Sequence, residues 1–283
     1  MTAHEAKLAG GVAVITGSGS GIGAGLARRA GALGMTVVLA DINLAAAEAV
    51  AAEIVSAGGA AEAICVDVSR PDALDRLADM VVDRHGSVRL LVNNAGIETL
   101  GFAWEIPAAR WETTLNVNLH GVIHGVRAFV PHMLASGAEC WLANLASVGA
   151  FGMMPTQSAY MLTKHAVQSF SESLFLEMQV KGAPIHVSSI IPGTVKTGIF
   201  SVAAGAGEPD EGARYRKTMR EMMAAYGMDL DEACRRILEQ VAEGRFWVST
   251  HPEMTAQMIE GRIAFLRAQA DPSMTDETRA LLG

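Results

Sequence analysis

Val12-Ala13-Val14-Ile15-Thr16-Gly17-Ser18-Gly19-Ser20-Gly21-Ile22-Gly23 is a short apolar run that opens straight into a glycine-rich turn. From Ile22 to Leu33 the spacing of apolar residues predicts a helix. A strand, a glycine turn and a helix start, in that order, are the parts of a dinucleotide site. Glycine lets the backbone turn sharply and come close to a pyrophosphate. The helix N-terminus offers free N–H groups and the positive end of its dipole. Gly17, Ser20, Gly21, Ile22 and Gly23 are therefore candidate cofactor contacts.

The next apolar run, Thr36–Ala40, ends at Asp41. An acidic residue about 20 positions beyond the glycines is placed to hydrogen-bond a ribose 2′-OH, and its charge would repel a 2′-phosphate. Ile42 follows it, and Ser20 stands in the turn, so neither position supplies a cation for that phosphate. The cofactor expected is NAD. Capping the following helix is the plainer use of Asp41. Asp67 and Val68, at the end of the third run, are placed to lie beside the adenine, with a strand-end cap as the alternative for Asp67.

Outward from this unit the chain keeps the same rhythm. Ala61–Val66, Leu90–Asn93, Trp141–Leu145 and Ile185–Ile191 read as strands, and Leu44–Ala57, Pro71–His85, Trp111–Ala135 and Ser158–Val180 as helices. Strands alternating with helices predict an α/β fold, a doubly wound parallel sheet of the Rossmann type. The rhythm breaks at residues 196–228, a stretch rich in Met and charge that contains Ala203-Ala204-Gly205-Ala206-Gly207. It is expected to be a mobile substrate-binding loop with partial helix. Helix at Leu230–Ala242, strand at Arg245–Ser249 and helix at Glu253–Ala268 follow, and the tail beyond Asp271 is expected to be loosely held. Residues 1–283 read as one domain with a C-terminal helical extension.

The bulk composition fits. Half of the 283 residues are hydrophobic and 5% are aromatic, which suits buried parallel strands under closely packed helices. The net charge of −8 comes without a Lys/Arg block, so no nucleic-acid partner is expected. Cys65, Cys140 and Cys234 fit neither a zinc site nor a disulfide framework, and no metal is expected. Cys65 and Cys140 read as buried small hydrophobes. The polar start and the lack of a long apolar run predict a soluble cytoplasmic protein with no membrane partner.

The chemical half begins at Asn94-Ala95-Gly96, small residues that allow a ligand close to the carboxyl edge of the sheet. Ser147 ends the fifth strand. Tyr160 and Lys164 follow at helical spacing, on one face. A phenol with a pKa near ~10 is a poor base at neutral pH. A nearby ammonium favours the phenolate, and a hydroxyl such as Ser147 can hold a substrate oxygen while charge develops on it.

Together Thr16-Gly17-x-x-x-Gly21-Ile22-Gly23, Asn93-Asn94-Ala95-Gly96, Asn118, Ser147, Tyr160-x-x-x-Lys164 and Pro192-Gly193-Thr194-Val195-Lys196-Thr197 make the chain resemble the short-chain dehydrogenase/reductase family, in its compact branch. The resemblance covers residues 8–200. It implies that Tyr160 exchanges a proton with the substrate oxygen and that Lys164 binds the nicotinamide ribose and lowers the Tyr160 pKa. It implies further that Ser147 orients the substrate and that Asn118 holds a water linking Lys164 to solvent. Asn94, Ala95, Gly96, Pro192, Gly193, Val195 and Thr197 would join the cofactor contacts. Ala146 stands where relatives often have a second Ser, and Glu98 falls near the expected pocket.

The activity implied is NAD-dependent interconversion of a secondary alcohol and its ketone. Phe102, Trp104, Phe151 and Met153, with Phe200, Met219 and Met223, suggest a bulky hydrophobic aryl or alicyclic substrate. The resemblance also implies a homodimer or homotetramer. The rival readings are a non-catalytic NADH-binding protein, which the intact Ser147, Tyr160 and Lys164 oppose, and a sugar-nucleotide epimerase or dehydratase, whose glycine spacing is tighter. An acyl-carrier-protein ketoreductase would want NADPH, which Asp41 opposes.

Overall fold

In β1 (Val12–Thr16) successive side chains serve two different cores. Ala13 and Ile15 face one apolar cluster, Val12 and Val14 the other. A strand buried on both faces must be apolar throughout, which is why the opening run shows no polar alternation. The computed structural model describes residues 2–201 and 209–282. The remaining strands are β2 (Thr36–Asp41), β3 (Ala60–Cys65), β4 (Leu90–Asn93), β5 (Cys140–Leu145), β6 (Ile185–Ile191) and β7 (Trp247–Ser249). They form a parallel sheet in the order β3-β2-β1-β4-β5-β6-β7. The order reverses between β1 and β4, so a crevice opens at their carboxyl ends.

Helices cover both faces. α1 (Gly21–Ala32), α2 (Leu44–Ser56) and, later in the chain, α8 (Leu230–Ala242) pack on one side through Leu26, Val50, Ile54, Ile237 and Val241. α3 (Pro71–His85), α5 (Gly121–Ser136) and α6 (Ser158–Lys181) cover the other through Leu74, Leu77, Phe129, Met133 and Leu174. The doubly wound α/β class expected from the sequence is the one observed.

The structure departs from the sequence reading in three places. The helix expected over Trp111–Ala135 is two, α4 (Ala108–Leu115) and α5, joined by a π-helical stretch at Asn116–His120. The partial helix expected within residues 196–228 is α7 (Asp210–Tyr226). It is folded down by Tyr215 and Met223, which pack with Leu100 and Phe200. Ala203–Gly207 lies outside the described residues. The tail after α9 (Pro252–Ala268) is not simply loose, for α10 (Asp276–Leu282) sets Leu281 and Leu282 against the same cluster. Cys65 is exposed, because it ends β3, the edge strand, while Cys140 and Cys234 are buried. Among the described residues no helix is long and apolar enough to cross a membrane.

Close approach of α5 to the sheet rests on Gly125. A Cβ at that position would overlap the buried Asn93 Oδ1 at the end of β4. Gly125→Ala should therefore destabilise the protein by about 1–3 kcal/mol, the usual cost of overpacking. Urea unfolding measures it, and an unchanged midpoint would mean that α5 can retreat freely.

Candidate active site

The glycine turn is braced from behind. Gly17 has φ +64, and a Cβ there would lie 2.7 Å from Ala95 Cα. Asn94 Nδ2 donates to the carbonyls of Thr16 (2.8 Å) and Gly17 (3.0 Å). The Thr16 hydroxyl accepts from the backbone N–H groups of Asn94 (3.0 Å) and Ala95 (3.2 Å). Both amide hydrogens of Asn94 are thus spent on the turn, which gives this residue a bracing part that motif reading alone did not show. Thr16 was legible only as part of the glycine motif, and its hydroxyl ties β1 to the end of β4.

At the front of the turn, Ser20 precedes α1 without a side-chain cap. The first N–H groups of the helix, from Gly21, Ile22 and Gly23, are left to an external acceptor. Gly21 has φ +52, and Thr197 lies across from it, 3.6 Å from where a Cβ would be. Asp41 Oδ2 accepts from Gly19 N and Oδ1 from Asn43 N, both at 2.8 Å. The Asp41 carboxylate lies beside the turn and keeps further lone pairs. Capping of α2 falls to Asn43, whose side chain accepts from Ala46 N. Asp67 Oδ1 accepts from Ser69 N (3.0 Å) and Ser69 Oγ (2.7 Å), the strand-end cap, while Val68 packs under Gly121. An uncapped helix start, a close-braced glycine turn and a carboxylate at the end of β2 fit the phosphates and ribose of a dinucleotide.

The other half of the site is carried by α6, which buried polar groups lock to the sheet. Asn93 Nδ2 donates to Asn144 Oδ1 (2.9 Å), Asn144 Nδ2 to Ser171 Oγ (3.0 Å), and Ser189 Oγ to Gln168 Oε1 (2.5 Å). Lys164, 3% exposed, donates from Nζ to the Leu145 carbonyl at 2.7 Å, two residues before Ser147. Its Nζ is 5.5 Å from the centre of the Tyr160 ring, and Ser147 acts on the Tyr160 phenol, lowering its pKa against the effect of burial. Ser147 Oγ also accepts from Gly149 N at 3.0 Å.

Asn118 sits in the π-helical stretch, where the extra residue re-aims its side chain. Its amide clamps Ile97: Oδ1 accepts from Ile97 N (2.8 Å) and Nδ2 donates to Ile97 O (2.9 Å). A Cβ on Gly96 would lie 3.6 Å from Asn118 Oδ1 and 3.8 Å from Lys164 Nζ. The structure thus brings Gly96, Asn118, Ser147, Tyr160 and Lys164 together. Farther along the crevice edge, Gly193 N donates to Thr250 Oγ1 (3.0 Å), Pro192 O accepts from Val148 N (3.1 Å), and Val195 is buried beside Met228.

Burial dominates the electrostatics here. It pushes the Tyr160 phenol above its ordinary value, Glu98 adds to the rise, and the Ser147 hydrogen bond opposes it. This corrects the expectation of a lowered phenol. Lys164 is itself brought down to about 8 by burial, against the pull of Glu98.

The wall beyond Tyr160 holds residues that motif reading did not reach. Gln157 bridges Glu98 (3.2 Å) and the Tyr215 hydroxyl (3.1 Å), and Phe200 and Met223 pack beside Tyr215. Only helical spacing from Tyr160 hinted at Gln157. Of the other expected pocket residues, Trp104 is 81% exposed and stacked on Phe102, Phe151 meets Trp247, and Met153 lines a surface groove of about 520 Å³ with Arg262 and Pro272.

The sequence profile described as "short chain dehydrogenase" matches residues 11–205. Cyclohexanol dehydrogenase of an Acinetobacter strain is 35% identical over 191 residues, 67% of this chain and 75% of that protein. A Mycobacterium tuberculosis protein named "Probable oxidoreductase EphD" is 34% identical over 220 residues. The match takes in 76% of this chain, which spans only 37% of that protein's length. The crystal structure of a short chain dehydrogenase/reductase from Burkholderia phymatum in complex with NAD superposes with a TM-score of 0.90 at 32% identity, over 95% of this chain and 98% of that one. With its motifs gathered at one crevice of a doubly wound sheet, the chain belongs to the short-chain dehydrogenase family.

Proposed function

We propose that the protein is an NAD-dependent oxidoreductase that interconverts a secondary alcohol and its ketone, with Tyr160 as the proton carrier. The observation that carries this reading is the convergence of Tyr160, Ser147 and Lys164, with the Lys164 ammonium 5.5 Å from the centre of the phenol ring and bonded to the Leu145 carbonyl two residues before Ser147. NAD, held by Gly17, Ser20, Gly21, Ile22, Gly23 and Asp41, with Asn94 bracing the turn, supplies the hydride acceptor or donor. Ala95, Gly96 and Val195 would join the cofactor contacts, Pro192, Gly193 and Thr197 those at its nicotinamide end, and Asp67 and Val68 those beside its adenine.

The chain's own residues handle the proton. Ser147 and Tyr160 hold the substrate oxygen between them. In ketone reduction the Tyr160 hydroxyl donates its proton to that oxygen as negative charge grows there. In alcohol oxidation the phenolate takes the proton back. Lys164, fixed by the Leu145 carbonyl, keeps a positive charge facing the phenol and the ribose. Burial holds the phenol protonated, which favours the donor role. The family relationship to cyclohexanol dehydrogenase and the apolar cluster of Leu100, Phe200 and Met223 support an alicyclic or aryl substrate. Leu162, Leu176 and Val180, exposed on α6, support a homodimer or homotetramer paired through that helix.

Tyr160→Phe keeps the ring and removes the proton carrier. Turnover should fall by ~10²–10⁴-fold, while NADH affinity measured by fluorescence titration stays close to that of the parent. A Phe variant that binds NADH and retains near-normal turnover would sink the mechanism.

Asp41 sets the cofactor. The parent should use NAD⁺ over NADP⁺ by at least ~10-fold in kcat/KM, and Asp41→Ala should narrow the gap. Equal use of both by the parent would count against this assignment.

The pH profile follows from Lys164. Its proton is lost as pH rises through about 8. Ketone reduction needs both that cation and the phenol proton, so its kcat/KM should be level below this region and decline above it. A rate of reduction that climbs between pH 8 and 10 would contradict the electrostatic assignment.

A further inference from the structure

Glu98 lies two residues beyond Gly96, on the backbone that Asn118 clamps through Ile97. It is 6% exposed. Its Oε2 accepts from Gln157 Nε2 at 3.2 Å, but its Oε1 is buried with no hydrogen-bond partner. Glu5 shows what a structural buried carboxylate looks like in this protein: its Oε1 accepts from Arg29 at 2.5 Å and its Oε2 from Thr2 N at 2.7 Å. Glu98 is left half-satisfied.

Its place is tied to the reacting group. Gln157, Tyr160 and Lys164 fall at helical spacings of three and four, so they share one face at the start of α6. Gln157 holds Glu98 over that face and accepts in turn from the Tyr215 hydroxyl of α7 at 3.1 Å. Thr156, next to Gln157, also buries an unpartnered Oγ1, on a backbone with φ +66 that few non-glycine residues adopt. Around this polar spot the wall is apolar, with Leu100, Phe200 and Met223 packed on the Tyr215 ring. A buried polar atom without a partner costs free energy, and strain and unmet hydrogen bonds persist where a ligand meets them. A few placed polar groups in an apolar pocket are what fix the orientation of a small ligand.

We propose that Glu98 Oε1 recognises a second oxygen function on the substrate, so that the site takes a diol or hydroxyketone in preference to a plain mono-alcohol. This rests on the reading of Tyr160 as the proton carrier for an alcohol. Lys164 and Arg216 both act electrostatically on Glu98, so the surroundings already hold cations and an ammonium substrate is disfavoured. A neutral hydroxyl suits the carboxyl in either state. It donates to a carboxylate, and it accepts from a carboxylic acid, which burial favours by raising Glu98 to about 8.

The test compares cyclohexanol with cyclohexane-1,2-diol and cyclohexane-1,3-diol, as the ratio of kcat/KM for diol over mono-alcohol. The parent should favour the better diol by ~10-fold or more, and Glu98→Ala should bring that ratio towards one. Glu98→Gln, which keeps an oxygen for hydrogen bonding, should hold the ratio within about 3-fold of the parent. A parent that treats diols and mono-alcohol alike, or a ratio that survives Glu98→Ala, overturns the proposal. If no alcohol is turned over, the Tyr160 reading is what fails. Calorimetric binding of the diols to the NADH-loaded protein then decides the Glu98 proposal separately. A Kd weakened by Glu98→Ala upholds it, and one left unchanged overturns it.

Discussion

Lys164 is buried, and its ammonium reaches back to the carbonyl of Leu145 at the end of β5. That single bond fixes the distance between two elements that could otherwise slide. Ser147 follows the end of the strand by two residues, and the helix carries Tyr160 one turn earlier. A lysine with three donors and a long stem is costly to bury, so its position is over-determined. Gly96 has no side chain to intrude, Asn118 holds the neighbouring backbone, and Asn144, Ser171, Gln168 and Ser189 pin the same helix farther along. Asn118, Asn144, Gln168, Ser171 and Ser189 are all buried and polar. Misplacing α6 by an ångström would leave several of them unpaired at once, so the lock is cooperative as well as strong.

The parts of the fold that were legible in the sequence are those set by local pattern. β1, β4 and β6 have the limits their apolar runs suggest, and buried polar residues that they carry, Asn93, Ser188 and Ser189, are each hydrogen-bonded. The placement of Asp41 beside the glycine turn, and of Tyr160 and Lys164 on one helix near Ser147, followed from their spacing in the sequence. What escaped was what only packing decides. The π-helical stretch at Asn116–His120 has no signature in its composition, since Asn118 there bonds to Ile97, 21 residues earlier in the chain. α7 reads as polar because most of its surface is exposed. Its few buried residues find their partners at Leu100 and Phe200, far off in sequence. Cys65 looked like a core residue because an edge strand and a central one share the same local pattern.

The sign of the Tyr160 shift illustrates a further limit. From sequence, Lys164 one turn away argues for a lowered phenol. In the folded protein the same burial that brings them together removes water from both. Desolvation disfavours the phenolate and the ammonium alike, and Glu98 adds its own charge on the side of the neutral phenol. Proximity in sequence gives the identity of the neighbours, while the balance among them depends on how much water the surrounding walls exclude.

That exclusion links the two halves of the crevice. The braced turn at Gly17 and the clamp at Ile97 are consecutive stations on one stretch of chain, Asn93 to Glu98. Asn93 bonds across the sheet, Asn94 and Ala95 hold the turn, Gly96 passes close to Lys164, Ile97 is held by Asn118, and Glu98 meets Gln157. Successive residues of this segment therefore touch the glycine turn, Lys164 and Gln157 in turn. A shift of the segment along its own axis would disturb all three together. The spacing between the glycine turn and Lys164 is thereby set by covalent geometry, and the hydrogen bonds only have to hold the segment still.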